Sequence, residues 1–297
     1  MRVRFHVLAS GSSGNACVLE AGGFGVLVDF GLPPRLLAPR MSRCRISWDR
    51  IDAVLLTHGH TDHWNATTLS HLAKLRLPIY CHEDHRSFFN QETRAFKKLT
   101  ADGLFRPFVP GQPLQLGPDL RCLPILLQHD CSMTCGFRFD GPEWAVGYAA
   151  DLGSWKPELA QQFADVDLLA IEFNHDVEMQ LVSGRHPMLI RRVLGDAGHL
   201  SNEQGAALLA EVVRRSQPGR LRHLVQLHLS QECNRPELAE SVARKTRESL
   251  GIELSIHTTE QGRAGPTITL GPATSDFSCP QFIQPMLPFL DLSPELT

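Results

Sequence analysis

The segment Thr57-His58-Gly59-His60-Thr61-Asp62-His63 puts four metal-capable side chains within six residues. Imidazole and carboxylate donors at this density point to divalent-cation chemistry, in which a bound ion polarises a reacting group and acidifies water. So short a loop cannot turn all four side chains to one ion. His58 and His60 can face one cation while Asp62 and His63 face a second. Two ions need more donors than one loop offers. His129, Asp151 and His228 each stand just beyond an apolar run of strand length, at 125–128, 145–150 and 224–227. Placement at strand ends would gather them along one sheet edge. A carboxylate is the natural bridge between two cations, which makes Asp151 the shared ligand.

The elements that must deliver these groups are legible as short apolar runs. Residues 3–9, 17–20 and 24–30 read as adjacent strands, and Gly11-Ser12-Ser13-Gly14-Asn15 as the turn between the first two. That turn lacks the Gly-Lys-Ser/Thr ending of a phosphate-cradling loop, and a tight turn is the simpler reading. Residues 51–57 predict a buried strand running into the histidine loop, with Asn65 capping a helix at 66–75. Further strands are predicted at 121–128, 134–139, 144–150, 167–172, 223–227 and 253–257, and helices at 187–194, 202–215 and 237–249. Two halves that each open with strands and close with helices predict an α/β fold, a four-layer α/β/β/α sandwich. Residues 1–270 would form one catalytic domain. Residues 271–297, with five prolines, would form a tail.

Composition narrows the classes. The 297 residues are 42% hydrophobic and 21% charged, with a net charge of −3. No apolar run reaches the ~18 residues of a membrane span. The opening Met-Arg-Val-Arg-Phe-His reads as a strand and not as a secretory signal, so a cytoplasmic protein is expected. The eight cysteines are scattered, and Cys131 and Cys135 form the one close pair, without the second pair of a zinc ribbon. Free thiols are expected. Basic clusters (Arg35 to Arg50; Arg94, Lys97 and Lys98; Arg185, Arg191 and Arg192; Arg214 to Arg222) read as solvated faces unless one borders the site.

The strand-borne His-x-His-x-Asp-His block, with Asp29 upstream and His129, Asp151 and His228 downstream, resembles the metallo-β-lactamase superfamily signature. Within it the chain resembles the YycJ/WalJ-type branch, described as 5′→3′ DNA exonucleases. The likeness rests on Leu8-Ala9-Ser10-Gly11-Ser12-Ser13-Gly14-Asn15, on 147–153 (Gly-Tyr-Ala-Ala-Asp-Leu-Gly), and on Asn174-His175-Asp176-Val177-Glu178-Met179. It continues through 195–202 (Gly-Asp-Ala-Gly-His-Leu-Ser-Asn) and 227–234 (Leu-His-Leu-Ser-Gln-Glu-Cys-Asn). Cys233 departs from the branch, which more often has Asn there. The resemblance implies two divalent ions. His58, His60, His129 and Asp151 would hold one, and Asp62, His63, Asp151 and His228 the other. Asp29 would hold the histidine loop by hydrogen bonds.

The chemistry so implied is attack of an activated water on phosphorus, with Asp62 both binding metal and orienting the nucleophile. His199 is the candidate for phosphate contact or leaving-group protonation, with Asn174 and His175 lining the site. Zn²⁺, Mn²⁺ and Fe²⁺ all suit such donors. DNA is the expected partner; oligomeric state is left open. Hydrolysis of a small substrate, such as a cyclic phosphodiester or thioester, is the alternative. Against it, no glutathione-binding C-terminal domain and no long Gly/Pro-rich arm are evident, and position 151 is Asp where β-lactamases proper carry Cys. A regulatory protein with a vestigial site is the third reading. The complete ligand set weighs against it.

Overall fold

The computed structural model describes residues 2–271; the proline-rich stretch from 272 onward lies outside the described residues. Six strands open the chain: β1 (Val3–Ala9), β2 (Ala16–Ala21), β3 (Phe24–Val28), β4 (Ala53–Leu55), β5 (Ile79–His82) and β6 (Phe105–Phe108). Seven more follow, β7 (Leu114–Gly117), β8 (Leu120–Leu126), β9 (Cys135–Asp140), β10 (Ala145–Ala149), β11 (Leu168–Glu172), β12 (His223–Leu227) and β13 (Ser255–Thr258). They form two seven-stranded sheets, because β14 (Thr267–Leu270) returns to pair antiparallel with β1. The helices are α1 (Pro34–Arg43), α2 (Ala66–Leu75), α3 (His85–Glu92), α4 (Arg94–Ala101), α5 (Pro157–Gln162), α6 (Val177–Leu181), α7 (Pro187–Leu194), α8 (Asn202–Arg215) and α9 (Pro236–Leu250). Among the described residues no helix is long and apolar enough to cross a membrane.

Strand polarity explains where the chemistry collects. β10, β11 and β12 are parallel neighbours, and every residue in β10 and β11 is buried. Such strands are covered on both faces and therefore read as continuous apolar runs. Parallel strands also end side by side, so Asp151, Glu172 and His228 emerge at one edge. β8 runs in the same direction, being two antiparallel steps from β10, and carries His129 to that edge. In the first sheet β3 and β4 are parallel, so Asp29 and the loop after Leu55 also emerge together.

One core fills the space between the sheets, around Phe5, Leu19, Phe137 and Tyr148. A second, including Phe163, Phe173, Leu208, Leu209 and Leu224, lies under α5, α8 and α9. Each such side chain contributes about 1.5–3 kcal/mol through burial, which fixes the strand ends that carry the polar residues. Asn65 caps α2 as expected, its Oδ1 accepting from the N–H of Thr67 and Thr68. Ser201 caps α8 in a reciprocal pair with Gln204. The seven described cysteines are free, and Cys279 lies outside the described residues.

Candidate metal centre

The histidine loop is tied down at both ends before any ligand is considered. Asp29 accepts from the Thr57 N–H at 2.9 Å and from His63 Nδ1 at 2.7 Å. Downstream, the N–H groups of Asn15 and Phe30 donate to the carbonyls of Asp62 and His63. This stitching needs Gly31, because a Cβ there would stand 1.8 Å from the Asp62 carbonyl oxygen. Two strand-end residues adopt the left-handed region without being glycine: Asp29 at φ 60° and His228 at φ 56°. A non-glycine residue held there is strained, and the surrounding bonds must over-determine it. For His228 those bonds are its N–H to Ser10 Oγ at 2.7 Å and the Asn174 Nδ2 donor on its carbonyl at 2.8 Å.

The ligand-capable atoms converge. His58, His60 and His129 offer ring nitrogens within 4.8 Å of one another, and Asp62, His63 and His228 bring a carboxylate oxygen and two ring nitrogens equally close as a second set. Asp151 joins them, its Oδ2 2.5 Å from His63 Nε2 and 4.0 Å from His58 Nε2, its Oδ1 3.5 Å from His228 Nδ1. All seven residues named from the sequence therefore meet at one place. His129 is oriented by its Nδ1 donating to the Gly198 carbonyl at 2.9 Å, which turns Nε2 inward. His58 Nε2 and His129 Nε2 are buried and have no hydrogen-bond partner. Orphaned buried polar atoms are rare and costly. Two bare imidazole nitrogens, one of them 4.0 Å from the Asp151 carboxylate, fit a divalent cation.

The electrostatics agree with the donor set. Burial alone would depress His228, but Asp151, Asp62 and Glu172 outweigh it and push it up to about 10. Burial would raise Asp62, yet His63 and His228 hold it well below the usual carboxylate range. Buried carboxylates that stabilise a cationic imidazole this strongly make a negative pocket, suited to positive ions.

Glu172 belongs to this centre and was not among the residues singled out by sequence. It is fully buried and accepts from His199 Nδ1 at 2.7 Å and from the N–H groups of Leu152 and Leu200. Its Oε1 also lies 3.3 Å from His228 Nδ1. The available signal was position: Glu172 ends an apolar run just as Asp151 and His228 follow theirs. Asp130 is the other addition. It sits 3.3 Å from His129 Nε2 and 3.5 Å from His60 Nε2, and its far oxygen pairs with Arg192.

A cavity of about 230 Å³ opens here, lined among others by Ser12, Asp62, Asn174, Arg192, His199 and Ser230. Asn174 and His199 thus border it. His175 does not: it is 1% exposed, bridged through its backbone to Ser201, and stands behind the wall. Trp64 braces the loop from within, its Nε1 donating to the Gly59 carbonyl at 3.0 Å and its ring edge-on to Phe89.

Comparison with known proteins agrees with this architecture. The family described as "Beta-lactamase superfamily domain" matches residues 25–221. Exodeoxyribonuclease YycJ of Bacillus anthracis is 30% identical over 266 residues, covering 88% of this chain and 96% of that protein. Exodeoxyribonuclease WalJ of Streptococcus pneumoniae is 28% identical over 268 residues, covering 89% and 96%. In three dimensions the metallo-β-lactamase fold protein YhfI of Bacillus subtilis superposes with a TM-score of 0.64 at 17% identity, over 91% of this chain and 100% of that one. With a histidine loop and strand-end carboxylates in one negative pocket, this chain belongs to the β-lactamase superfamily and is a metal-dependent hydrolase.

Proposed function

We propose that this chain is a phosphodiester hydrolase that degrades DNA from the 5′ end, with residues 1–270 as the catalytic unit. The observation that carries the reading is the place of Asp151, between the His58 and His63 rings on one oxygen and the His228 ring on the other. There a single carboxylate can serve two ions. Exodeoxyribonuclease relatives along almost the whole chain support DNA over a small ester. His58, His60, His129 and Asp151 would hold one ion, and Asp62, His63, Asp151 and His228 the other; Zn²⁺, Mn²⁺ or Fe²⁺ suits these donors. Once bound, two divalent cations supply Lewis acidity to a phosphoryl oxygen and bring the pKa of water toward neutrality.

The protein's own groups then position and exchange protons. Asp62 is steadied by Asn15 Nδ2 at 3.2 Å while its carboxylate borders the cavity, where it orients the attacking water. His199 gives Nδ1 to Glu172, which leaves Nε2 as the ring nitrogen that meets the phosphate or the departing oxygen. Asn174 and the hydroxyls of Ser12 and Ser230 offer donors to phosphoryl oxygens from the same wall.

The test is digestion of 5′-phosphorylated linear duplex DNA, labelled at either end, with Mn²⁺, Zn²⁺ or EDTA. Nucleotides should leave from the 5′ end, and EDTA or Asp62→Ala should stop their release. Hydrolysis of bis(p-nitrophenyl) phosphate with DNA untouched would replace DNA by a small diester. Inertness with every metal and substrate would favour a regulatory protein.

A further inference from the structure

Residues 177–194 keep apolar side chains outside. Helix α7 reads Pro-Met-Leu-Ile-Arg-Arg-Val-Leu, yet Val193 is its sole buried residue. Met188 is 72% exposed, and Leu181 and Val182, at the end of α6, are 58% and 76% exposed. Val177, Leu189 and Leu194 add open apolar surface in the same stretch. The two helices pack on each other, so these side chains share one outcrop. Single exposed apolar residues are ordinary, but a set concentrated in one hairpin marks a contact surface.

The surroundings select the partner. The outcrop is continuous with the candidate site, because Arg185, Leu189, Arg192 and Val193 line its cavity. Its own segment is also basic: residues 177–194 contain Arg185, Arg191 and Arg192 against one acid, Glu178, in a chain whose net charge is −3. Arg185 is held at the rim by Glu232 and Arg192 by Asp130, while Arg191 makes no ion pair among the described residues. Phosphate-bearing polymers meet such a mixture of aliphatic and guanidinium groups on complementary terms. The cavity of about 230 Å³ is below the ~300–1,000 Å³ of ordinary ligand pockets, a size that suits a single strand end better than a duplex. A duplex end would then be parted from its complement on the way in. The exposed side chains are aliphatic, the type that wedges between base steps, whereas single-strand platforms rely on aromatic rings.

We propose that the α6–α7 hairpin is a wedge that splits the terminal base pair of duplex DNA and passes the freed strand along Arg185 and Arg192 into the cavity. The inference rests on the nuclease reading above and adds a strand-separating element to it.

The test compares wild type with the triple variant Leu181→Ser/Val182→Ser/Met188→Ser. A control, Leu36→Ser/Leu75→Ser, removes exposed apolar groups on α1 and α2 instead. Equal Tm values for all three establish folding. The probe is a blunt hairpin duplex carrying 2-aminopurine in its terminal pair, added first in EDTA so that binding alone is read. Fluorescence should rise with wild type and control and stay flat with the triple variant. With Mn²⁺, the ratio of blunt-duplex to single-strand digestion should fall about tenfold in the triple variant, the equivalent of one mean stacking step of about 1.4 kcal/mol. Equal fluorescence from variant and wild type, or an unchanged ratio, overturns the wedge. So does a wild-type dimer in sedimentation that the variant dissociates without any fluorescence difference, which would make the surface a self-association face. A wild type that opens duplex ends but cleaves no DNA keeps the wedge and sinks the nuclease reading.

Discussion

Glu172→Gln tests whether a buried carboxylate sets the proton on His199, the imidazole that lines the cavity. The side chain keeps its volume, but it now supplies one oxygen where the structure uses two. One oxygen of Glu172 accepts the N–H groups of Leu152 at 3.1 Å and Leu200 at 2.9 Å, and the other accepts His199 Nδ1 at 2.7 Å. Two backbone donors outcompete one imidazole for the remaining oxygen, so the new amide NH₂ turns toward His199. That ring must then accept at Nδ1 and carry its proton on the opposite nitrogen. A hydrogen bond to a charged group is worth about 1.5–3 kcal/mol. At about 1.4 kcal/mol per decade, its loss corresponds to roughly a 10- to 150-fold lower kcat. KM for DNA should hardly move, since Glu172 touches no substrate. The assay is steady-state digestion of 5′-labelled duplex at saturating metal, with metal content and Tm measured on the same preparation. An unchanged kcat with unchanged metal content would refute the argument that Glu172 sets this tautomer.

Other perturbations address the centre and the fold separately. Stripping the cations should cost about 2.7 kcal/mol per ion if each had been present at a hundred times Kd. For a domain of this size that is a Tm drop of about 5–10 °C per ion, and calorimetry with and without EDTA measures it. Gly31→Ala puts a methyl 1.8 Å from the Asp62 carbonyl and 2.9 Å from the Asn15 nitrogen, so the loop must shift. Metal per chain, by elemental analysis, should fall more than Tm does; a normal metal content would show that this contact does not gauge the loop. Acid stability is a third handle. Burial, reinforced by His257 and Arg222, lowers His223 from 6.5 to about 4. The unfolded chain therefore takes up a proton that the folded chain refuses between those values, and stability falls as pH drops through the window. His223→Gln should lose less Tm between pH 7 and pH 4 than wild type; equal losses would remove His223 from the account.

What the sequence reveals follows from how strands are buried. β4, β10, β11 and β12 are covered on both faces, so each is an apolar run, and the polar residue that ends a run stands out. Asp151 and His228 are visible for that reason. Glu172 escaped because it closes its run from within and the Asn-His pair beyond it draws the eye. His175 illustrates the opposite error: a histidine in a suggestive block whose side chain faces the interior. Strands β5 to β7 and the short helices α3 and α4 alternate buried and exposed residues over too few positions to announce themselves. β14 is four residues long and gains its place only by pairing with the first strand of the chain. The pairing of Arg192 with Asp130, 62 residues apart, has no local signature at all.

The return of β14 to β1 bears on how the molecule comes into being. A chain leaving the ribosome can lay down β1 through β6 early, but the outer border of that sheet stays open until the last described strand has been synthesised. The histidine loop hangs from this first sheet, while Asp151 and His228 hang from the second. A nascent polypeptide holding only one of these halves has half a grip on any ion. A complete cation site therefore requires both sheets, and it cannot exist before the strand that leads to His228 is in place.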